Sequence, residues 1–143
     1  MGLFRALEAS ASALTAERVR MEVITSNLAN ANTTRGPEGP YRRRVVLFAP
    51  LVDRFLASLA PVPASEARGV VVAGIVEDPT PPRRVYDPGH PDADADGFVT
   101  LPNVNPVAEL TDLVASARAY EANVMVLNTA KQAILRALEI GRR

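Results

Sequence analysis

The sequence predicts a mainly α protein in which two long terminal helices pack as an elongated arm and a small β-rich region lies between them. Apolar residues recur every seven positions near both ends of the chain, as in helices that pack side by side. All twelve prolines lie between Pro37 and Pro106, where β-branched runs also occur. We therefore divide the chain into an N-terminal helical arm (1–34), a small β-rich and loop region (35–105) and a C-terminal helical arm (106–143).

The C-terminal helix is predicted over residues 107–140. One apolar row contains Leu113, Tyr120, Leu127 and Ile134, and a companion row three residues earlier contains Leu110, Ala117, Val124 and Leu138. Lys131 interrupts the companion row. Asn105 can cap the start and Gly141 can form a left-handed cap at the end. The helix would be about 51 Å long, whereas a compact chain of this size is roughly 37 Å across. The molecule is therefore expected to be elongated and to need a partner for its apolar stripe.

A second helix is predicted over residues 3–30. Its apolar row contains Leu7, Leu14, Met21 and Leu28, and a mixed row contains Leu3, Ser10, Glu17 and Ile24. Asparagine and threonine residues followed by Gly36 and Pro37 should stop the helix between residues 30 and 34. The mixed row indicates packing against the C-terminal helix.

The middle region is predicted to contain short strands separated by proline-rich connections. Strands are expected over residues 41–51, 70–76, 83–86 and 98–101 because these runs are rich in β-branched and aromatic residues. Residues 51–60 suit a short helix or a loop, and residues 61–66 suit an exposed connection. An ordered, irregular loop should cover most of residues 87–105.

The composition argues against several classes of function. The chain has 16 basic and 16 acidic residues, so its formal net charge is zero and gives no general attraction to nucleic acid. It contains no cysteine, which excludes thiol chemistry and leaves the redox compartment open. The first 20 residues lack the pattern of a cleaved signal peptide. We expect no cofactor and no small-molecule substrate.

An alternating acidic segment raises the question of calcium. Asp92, Asp94, Asp96 and Gly97 match the first half of an EF-hand loop, but Asn103 occupies the position that requires a bidentate glutamate. Calcium-dependent binding is therefore a minor alternative. We expect a structural loop in which aspartates accept backbone hydrogen bonds, formed by Asp92, Asp94, Gly97, Asn103 and Asn105.

The other polar candidates favour structural roles. The arginines at 42–44 and 83–84 lack the accompanying aromatic residues typical of a nucleic-acid site. His90, the single histidine, has no evident catalytic partner, and the sequence yields no catalytic or metal-ligating residue. Asn27, Asn30 and Asn32 can cap helix carbonyls or bond to a neighbouring chain.

Two terminal motifs and one central run resemble a known family. Residues 26–33 read Ser-Asn-Leu-Ala-Asn-Ala-Asn-Thr, and residues 119–123 read Ala-Tyr-Glu-Ala-Asn. The run Tyr-Asp-Pro-Gly-His-Pro-Asp-Ala-Asp at 86–94 is followed by Gly-Phe-Val at 97–99 and Pro-Asn-Val-Asn at 102–105. Together they resemble the axial proteins of the bacterial flagellum, and in particular proximal rod proteins of its basal body. The resemblance covers residues 3–50 and 69–141, and is weakest in the proline-rich stretch 51–67.

The resemblance implies a structural subunit of the rod, with no enzymatic activity. In such a tubular assembly, Lys131 is expected to face the tube lumen or a carboxylate such as Glu17. It implies assembly with copies of itself and other rod proteins, contact with the basal-body ring and its adaptor protein, and export through the flagellar type III apparatus without a cleaved signal peptide, to a rod within the periplasm. A helical-hairpin interaction module unrelated to flagella is the main alternative. The residues expected at subunit contacts are Leu7, Leu14, Met21, Ile24, Asn27, Leu28, Asn30, Asn32, Leu110, Leu113, Tyr120, Asn123, Val124, Leu127, Ile134 and Leu138.

Overall fold

A computed structural model describes residues 2–37, 39–52 and 67–141. Its elements, in chain order, are α1 (Leu3–Ala29), β1 (Arg44–Leu51), β2 (Gly69–Glu77), β3 (Arg83–Tyr86), β4 (Phe98–Leu101) and α2 (Pro106–Gly141). The predicted fold class, two long terminal helices with a small β region between them, is confirmed. The connection predicted over residues 61–66 and most of the segment 51–60 lie outside the described residues. Neither α1 nor α2 has an apolar stretch that could cross a membrane.

The ends of the helices follow largely from local side chains. The Asn105 side-chain oxygen accepts hydrogen bonds from the backbone N–H groups of Val107 (3.1 Å) and Ala108 (3.4 Å), as predicted for a cap. At the end of α1, the Asn30 side chain donates to the Ser26 carbonyl at 2.9 Å, and the Asn30 backbone N–H donates to the same carbonyl at 3.1 Å. Gly141 is the last residue of α2 and has no left-handed conformation, so the cap predicted there is wrong.

α1 and α2 pack against each other in antiparallel directions. Asn27 near the end of α1 contacts Glu109 near the start of α2, and Glu17 contacts Ser116 one heptad further along α2. The buried residues of α2 are Glu109, Ser116 and Ala130. They share one row of seven-residue spacing with the half-buried Asn123.

The buried row corrects the predicted seam. The row of Leu113, Tyr120, Leu127 and Ile134 is half-buried at the edge of the helix contact. In the companion row Ala117 and Val124 are also half-buried, whereas Leu110 and Leu138 at its two ends are 52% and 65% exposed. Small or hydrogen-bonded side chains occupy the centre of the contact, and the distance between helix axes depends on the size of the side chains there. The larger apolar side chains are displaced to its edge and to the surface.

Lys131 does not lie opposite Glu17. The Glu17 carboxylate accepts a hydrogen bond from Ser116, which precedes Lys131 by fifteen residues in α2, or about 22 Å along the helix. The Lys131 side chain is exposed. The expected contact between these two charges is therefore wrong, and the expected position beside a tube lumen stays a prediction.

In the part of the β region that the structure describes, the strands form two separate antiparallel hairpins. β1 pairs with β2 in a register that places Val46 opposite Ile75, with a bulge between Leu47 and Phe48. β3 pairs with β4, with Val85 opposite the buried Val99. The first hairpin packs on α1, where the Val70 N–H donates to the Ser12 hydroxyl at 3.1 Å.

Gly69 permits the close approach of the first hairpin to α1. A Cβ atom added at Gly69 would lie 2.1 Å from the Ser12 hydroxyl oxygen and 3.3 Å from the Ala9 Cα. A larger residue would force the strand away from the helix. The glycine therefore fixes where the hairpin docks.

Candidate assembly site

A buried amide joins α1, β1 and α2. The Asn27 side chain is 1% exposed, and its NH₂ group donates to the Arg44 carbonyl (2.9 Å) and a Glu109 carboxylate oxygen (3.0 Å). Its oxygen accepts from the Arg44 N–H and the Tyr41 hydroxyl, both at 2.9 Å. Two donors and two acceptor positions are thus all used. Asn27 lies within the first of the two terminal motifs, and its side chain works inside the subunit.

Glu109 and Arg43 form a charged pair beside this amide. Glu109 is fully buried, and its carboxylate accepts a hydrogen bond from the Arg43 Nε at 2.6 Å. The Arg43 guanidinium also contacts Asp78 at 3.2 Å and Asp112 at 3.8 Å. Burial acts to lower the pKa of Arg43, but hydrogen bonds and charges of Glu109 and Asp78 together raise it above its ordinary value. Glu109 stands in the first turn of α2, where the helix dipole favours a negative charge.

Asn103 connects the same junction to the loop after β2. Its side-chain oxygen accepts from the Arg43 N–H at 2.8 Å, and its NH₂ group donates to the carbonyls of Asp78 (3.2 Å) and Thr80 (2.9 Å). The side-chain and backbone hydrogen bonds of Thr80, followed by those of Arg43, lower the pKa of Asp78. We call the set Asn27, Tyr41, Arg43, Asp78, Asn103 and Glu109 the polar junction.

The predicted structural loop is built by aspartates with different partners. Asp92 accepts hydrogen bonds from the Thr34 hydroxyl at 2.5 Å and from Arg35, and these, Thr34 first, lower the pKa of Asp92. One oxygen of Asp94 accepts from the backbone N–H groups of Phe98 (2.8 Å) and Asp96 (3.0 Å). These carboxylates therefore accept hydrogen bonds from different segments of the chain and do not converge on one cation position.

Asp94 and Gly97 shape the turn between β3 and β4. The Phe98 N–H, followed by Arg84, lowers the pKa of Asp94, and the Arg84 guanidinium also lies 4.9 Å from the centre of the Phe98 ring. Gly97 has a φ of 81°, and a Cβ there would meet a Tyr86 ring carbon at 2.8 Å. Glycine is required on both grounds.

The structure divides the three asparagines that the sequence grouped together. Asn27 is internal, and Asn30 caps α1 while accepting from the Thr33 hydroxyl at 3.2 Å. Asn32 is exposed, and its expected role at a subunit contact stays a prediction. His90 also has a local role, because its Nδ1 accepts the Asp92 N–H at 3.1 Å.

The outward surface of the helix pair carries exposed apolar side chains, most of them on α2. α2 continues beyond the start of α1, because the antiparallel contacts Asn27–Glu109 and Glu17–Ser116 place the first residues of α1 beside about residue 130 of α2. We call Lys131–Gly141 the overhang. Leu138 and Ile140 in the overhang are 65% and 77% exposed. Other exposed apolar residues on the two helices are Phe4, Val107, Leu110, Val114, Met125, Val126 and Leu135.

The expected contact residues fall into three groups. Ile24 and Asn27 are buried within the subunit, and Leu110 and Leu138 are exposed. The rest, apart from the exposed Asn32, are half-buried, which leaves part of each side chain for a neighbour: Leu7, Leu14, Met21, Leu28, Asn30, Leu113, Tyr120, Asn123, Val124, Leu127 and Ile134.

Sequence reasoning missed most of the polar junction. In the sequence, Arg43 is one of a run of arginines and Glu109 is an acidic residue near the start of the C-terminal helix, and local patterns mark neither as buried. One signal was present, because Glu109 and Ser116 share the seven-residue spacing of the apolar rows. Polar residues in such a repeat indicate a hydrogen-bonded position at a helix contact.

Comparison with known proteins identifies relatives along the whole chain. A family model described as flagella basal body rod protein matches residues 7–37, and one described as flagellar basal body rod FlgEFG protein C-terminal matches residues 95–140. The flagellar basal-body rod protein FlgC of Bacillus subtilis is 47% identical over 99% of this chain and 100% of its own length. The FlgC proteins of Borreliella burgdorferi (42% identical, 98% of each chain) and Salmonella typhimurium (41%, 99% of this chain and 100% of the relative) are also similar.

Proposed function

The chain belongs to the FlgC family of flagellar basal-body rod proteins and is a structural subunit of the rod, and we propose that it builds the tubular drive shaft through the outward faces of α1 and α2. The observation that carries this proposal is the exposed apolar overhang of α2. Apolar surface at the end of a rigid helix is stabilised when a neighbouring subunit covers it. Repeated head-to-tail contacts of this kind wind into a tube, and torque then passes through packed side chains.

Family membership also supports a proposal for the partners and the location. Rod proteins assemble with other rod and basal-body components. We propose that this chain contacts copies of itself, the basal-body ring and its adaptor protein, that the flagellar type III apparatus exports it without a cleaved signal, and that it lies within the periplasm. The proposed role is structural throughout, without catalysis, nucleic acid or a small-molecule substrate. The family favours this reading over a helical-hairpin module without a flagellar role.

The three-part division of the chain is also part of the proposal. The helical arms at 1–34 and 106–143 would form the assembly surface, and the region 35–105 would face other neighbours. Contacts between α1 and α2 and between α1 and the first hairpin support this arrangement. The half-buried and exposed residues grouped above would form the subunit contacts.

The decisive experiment replaces Leu138 with aspartate in cells that carry no other copy of the gene. Leu138 is 65% exposed, so the free chain should keep its stability, whereas a charge inside a packed subunit contact is costly. We expect export of the variant to continue while rods and motility are lost. Leu127→Asp is less selective because Leu127 is half-buried within the chain.

Glu139→Ala is the matched control, because it changes an exposed polar neighbour in the same turn. We expect it to support motility. Normal rods in basal bodies isolated from Leu138→Asp cells would contradict a role of the overhang in assembly.

A further inference from the structure

The apolar rows of α1 and α2 do not define a single register. Both repeat every seven residues, as Leu7, Leu14, Met21 and Leu28 in α1 and as Leu113, Tyr120, Leu127 and Ile134 in α2. A shift of one helix by seven residues, about 10.5 Å, would again place apolar rows beside each other. Heptad packing alone therefore stabilises alternative registers, which a polar residue in the seam can exclude.

Two polar pairs in the helix contact distinguish the observed register from the shifted ones. Asn27 donates to Glu109 at 3.0 Å, and Ser116, which is fully buried, donates to the Glu17 carboxylate. A shift of one heptad would separate both pairs at once. It would also remove the buried Glu109 from Arg43 and leave an uncompensated charge inside the molecule, which is strongly destabilising.

The register determines how much of α2 projects beyond α1. In the observed register the overhang begins after Ala130. A shift of seven residues would shorten or lengthen the projecting part by about 10.5 Å. Because the overhang is only eleven residues long, or about 16 Å, such a shift would change most of the surface that it offers.

We propose that the pairs Asn27–Glu109 and Glu17–Ser116 are register keys, which select one alignment of α1 on α2 and thereby set the length of the overhang. These residues act as positioning residues, since they stabilise the fold and also choose among alignments that apolar packing leaves open. The link from overhang length to assembly rests on the proposed function. The selection of register is a property of the free chain.

The absence of cysteine from the sequence allows a direct measurement of register. Glu22→Cys on α1 and Gln132→Cys on α2 introduce two exposed positions for spin labels. The contacts of Asn27 with Glu109 and Glu17 with Ser116 place these labels about 30 Å apart along the axis. We expect pulsed electron paramagnetic resonance of the full chain to give one distance population.

Removal of the keys should produce a second population. Asn27→Leu with Glu109→Leu replaces one key by apolar side chains, and Ser116→Ala removes the other with little change in volume. For both variants we expect retained helix content by circular dichroism and an additional distance displaced by about 10 Å. Leu113→Ala is the control, because it weakens apolar packing without touching a key and should keep one unshifted distance.

A single unshifted distance in every key variant that keeps its helix content would overturn the proposal. So would the lack of one defined distance in the labelled parent chain. Both measurements use the free chain and are independent of rod formation. Failure of Leu138→Asp to block rods would instead count against the assembly surface alone.

Discussion

Replacement of Arg43 by alanine tests whether the polar junction holds the two helices and the first hairpin together. The Glu109 side chain is 1% exposed and that of Arg43 is 25% exposed. Without the guanidinium, the Glu109 carboxylate would retain the Asn27 amide and lose its 2.6 Å charged partner. The same substitution would take one hydrogen bond from Asp78.

The expected cost follows from the burial of the carboxylate. Removing one member of a buried ion pair destabilises a protein by about 3–5 kcal/mol. Because a quarter of the Arg43 side chain reaches solvent, water can partly replace it, and we expect a value near the lower limit, about 3 kcal/mol. At about 3 °C per kcal/mol for a chain of this size, the midpoint of thermal unfolding should fall by roughly 10 °C.

The assay is urea and thermal unfolding of the full chain, with Arg42→Ala as the matched control. Arg42 is the exposed neighbour of Arg43, and its removal should change stability by less than about 0.5 kcal/mol. The double variant Arg43→Met with Glu109→Leu removes both charges and should recover at least half of the loss, because apolar replacement of a buried pair is often neutral. A loss for Arg43→Ala below about 1 kcal/mol, or a double variant less stable than Arg43→Ala, would refute the reasoning.

Three further predictions concern the turn, a cap and the pH dependence. Gly97→Ala should cost about 1–3 kcal/mol in thermal unfolding, since φ there is 81°, whereas Gly89→Ala, whose Cβ would have its nearest contact at 3.7 Å, should be close to neutral. Asn105→Ala should destabilise the chain by about 1 kcal/mol in the same assay through loss of the cap of α2. Substitution of an exposed polar residue outside the start of α2 should have a smaller effect. Asp92 has a lowered pKa, so the unfolded state binds its proton first as the pH falls. Its contribution to stability should be complete above the ordinary value of 3.8 and be lost below it, and Asp92→Asn should flatten that part of the pH profile.

Local sequence signals predicted well those elements whose structure depends mainly on neighbouring residues. The alternating and β-branched runs predicted the four strands of the described residues, because side-chain shape favours extended backbone. Asn105 was identified as a cap from its position before Pro106. The split into two hairpins was not predicted, since it depends on which strands pair, and strand pairing is decided by contacts that are distant in sequence.

The polar junction illustrates what local signals omit. Arg43 lies in a run of three arginines, and nothing in that run distinguishes the arginine that turns inward. Its role depends on Glu109, which is 66 residues away. The sequence marks Asn27 as informative, but its amide is compatible with hydrogen bonds inside the chain and with hydrogen bonds between chains. Only the position of β1 beside α1 decides between them.

The heptad pattern likewise leaves open whether apolar residues pack inside the chain or between chains. The answer matters for function. Periodicity shows that Leu110 and Leu138 belong to a packed row, but it does not say whether the row packs on its own chain or on another. In a monomeric globular protein such rows face inward, because burial of apolar area stabilises the fold. Here Glu109 and Ser116 occupy the centre of the contact between α1 and α2, while Leu110 and Leu138 remain exposed. The row has the spacing of a core, yet its two ends are exposed and Ala117 and Val124 are only half-buried. This pattern is expected when the remainder of the core belongs to a neighbouring subunit.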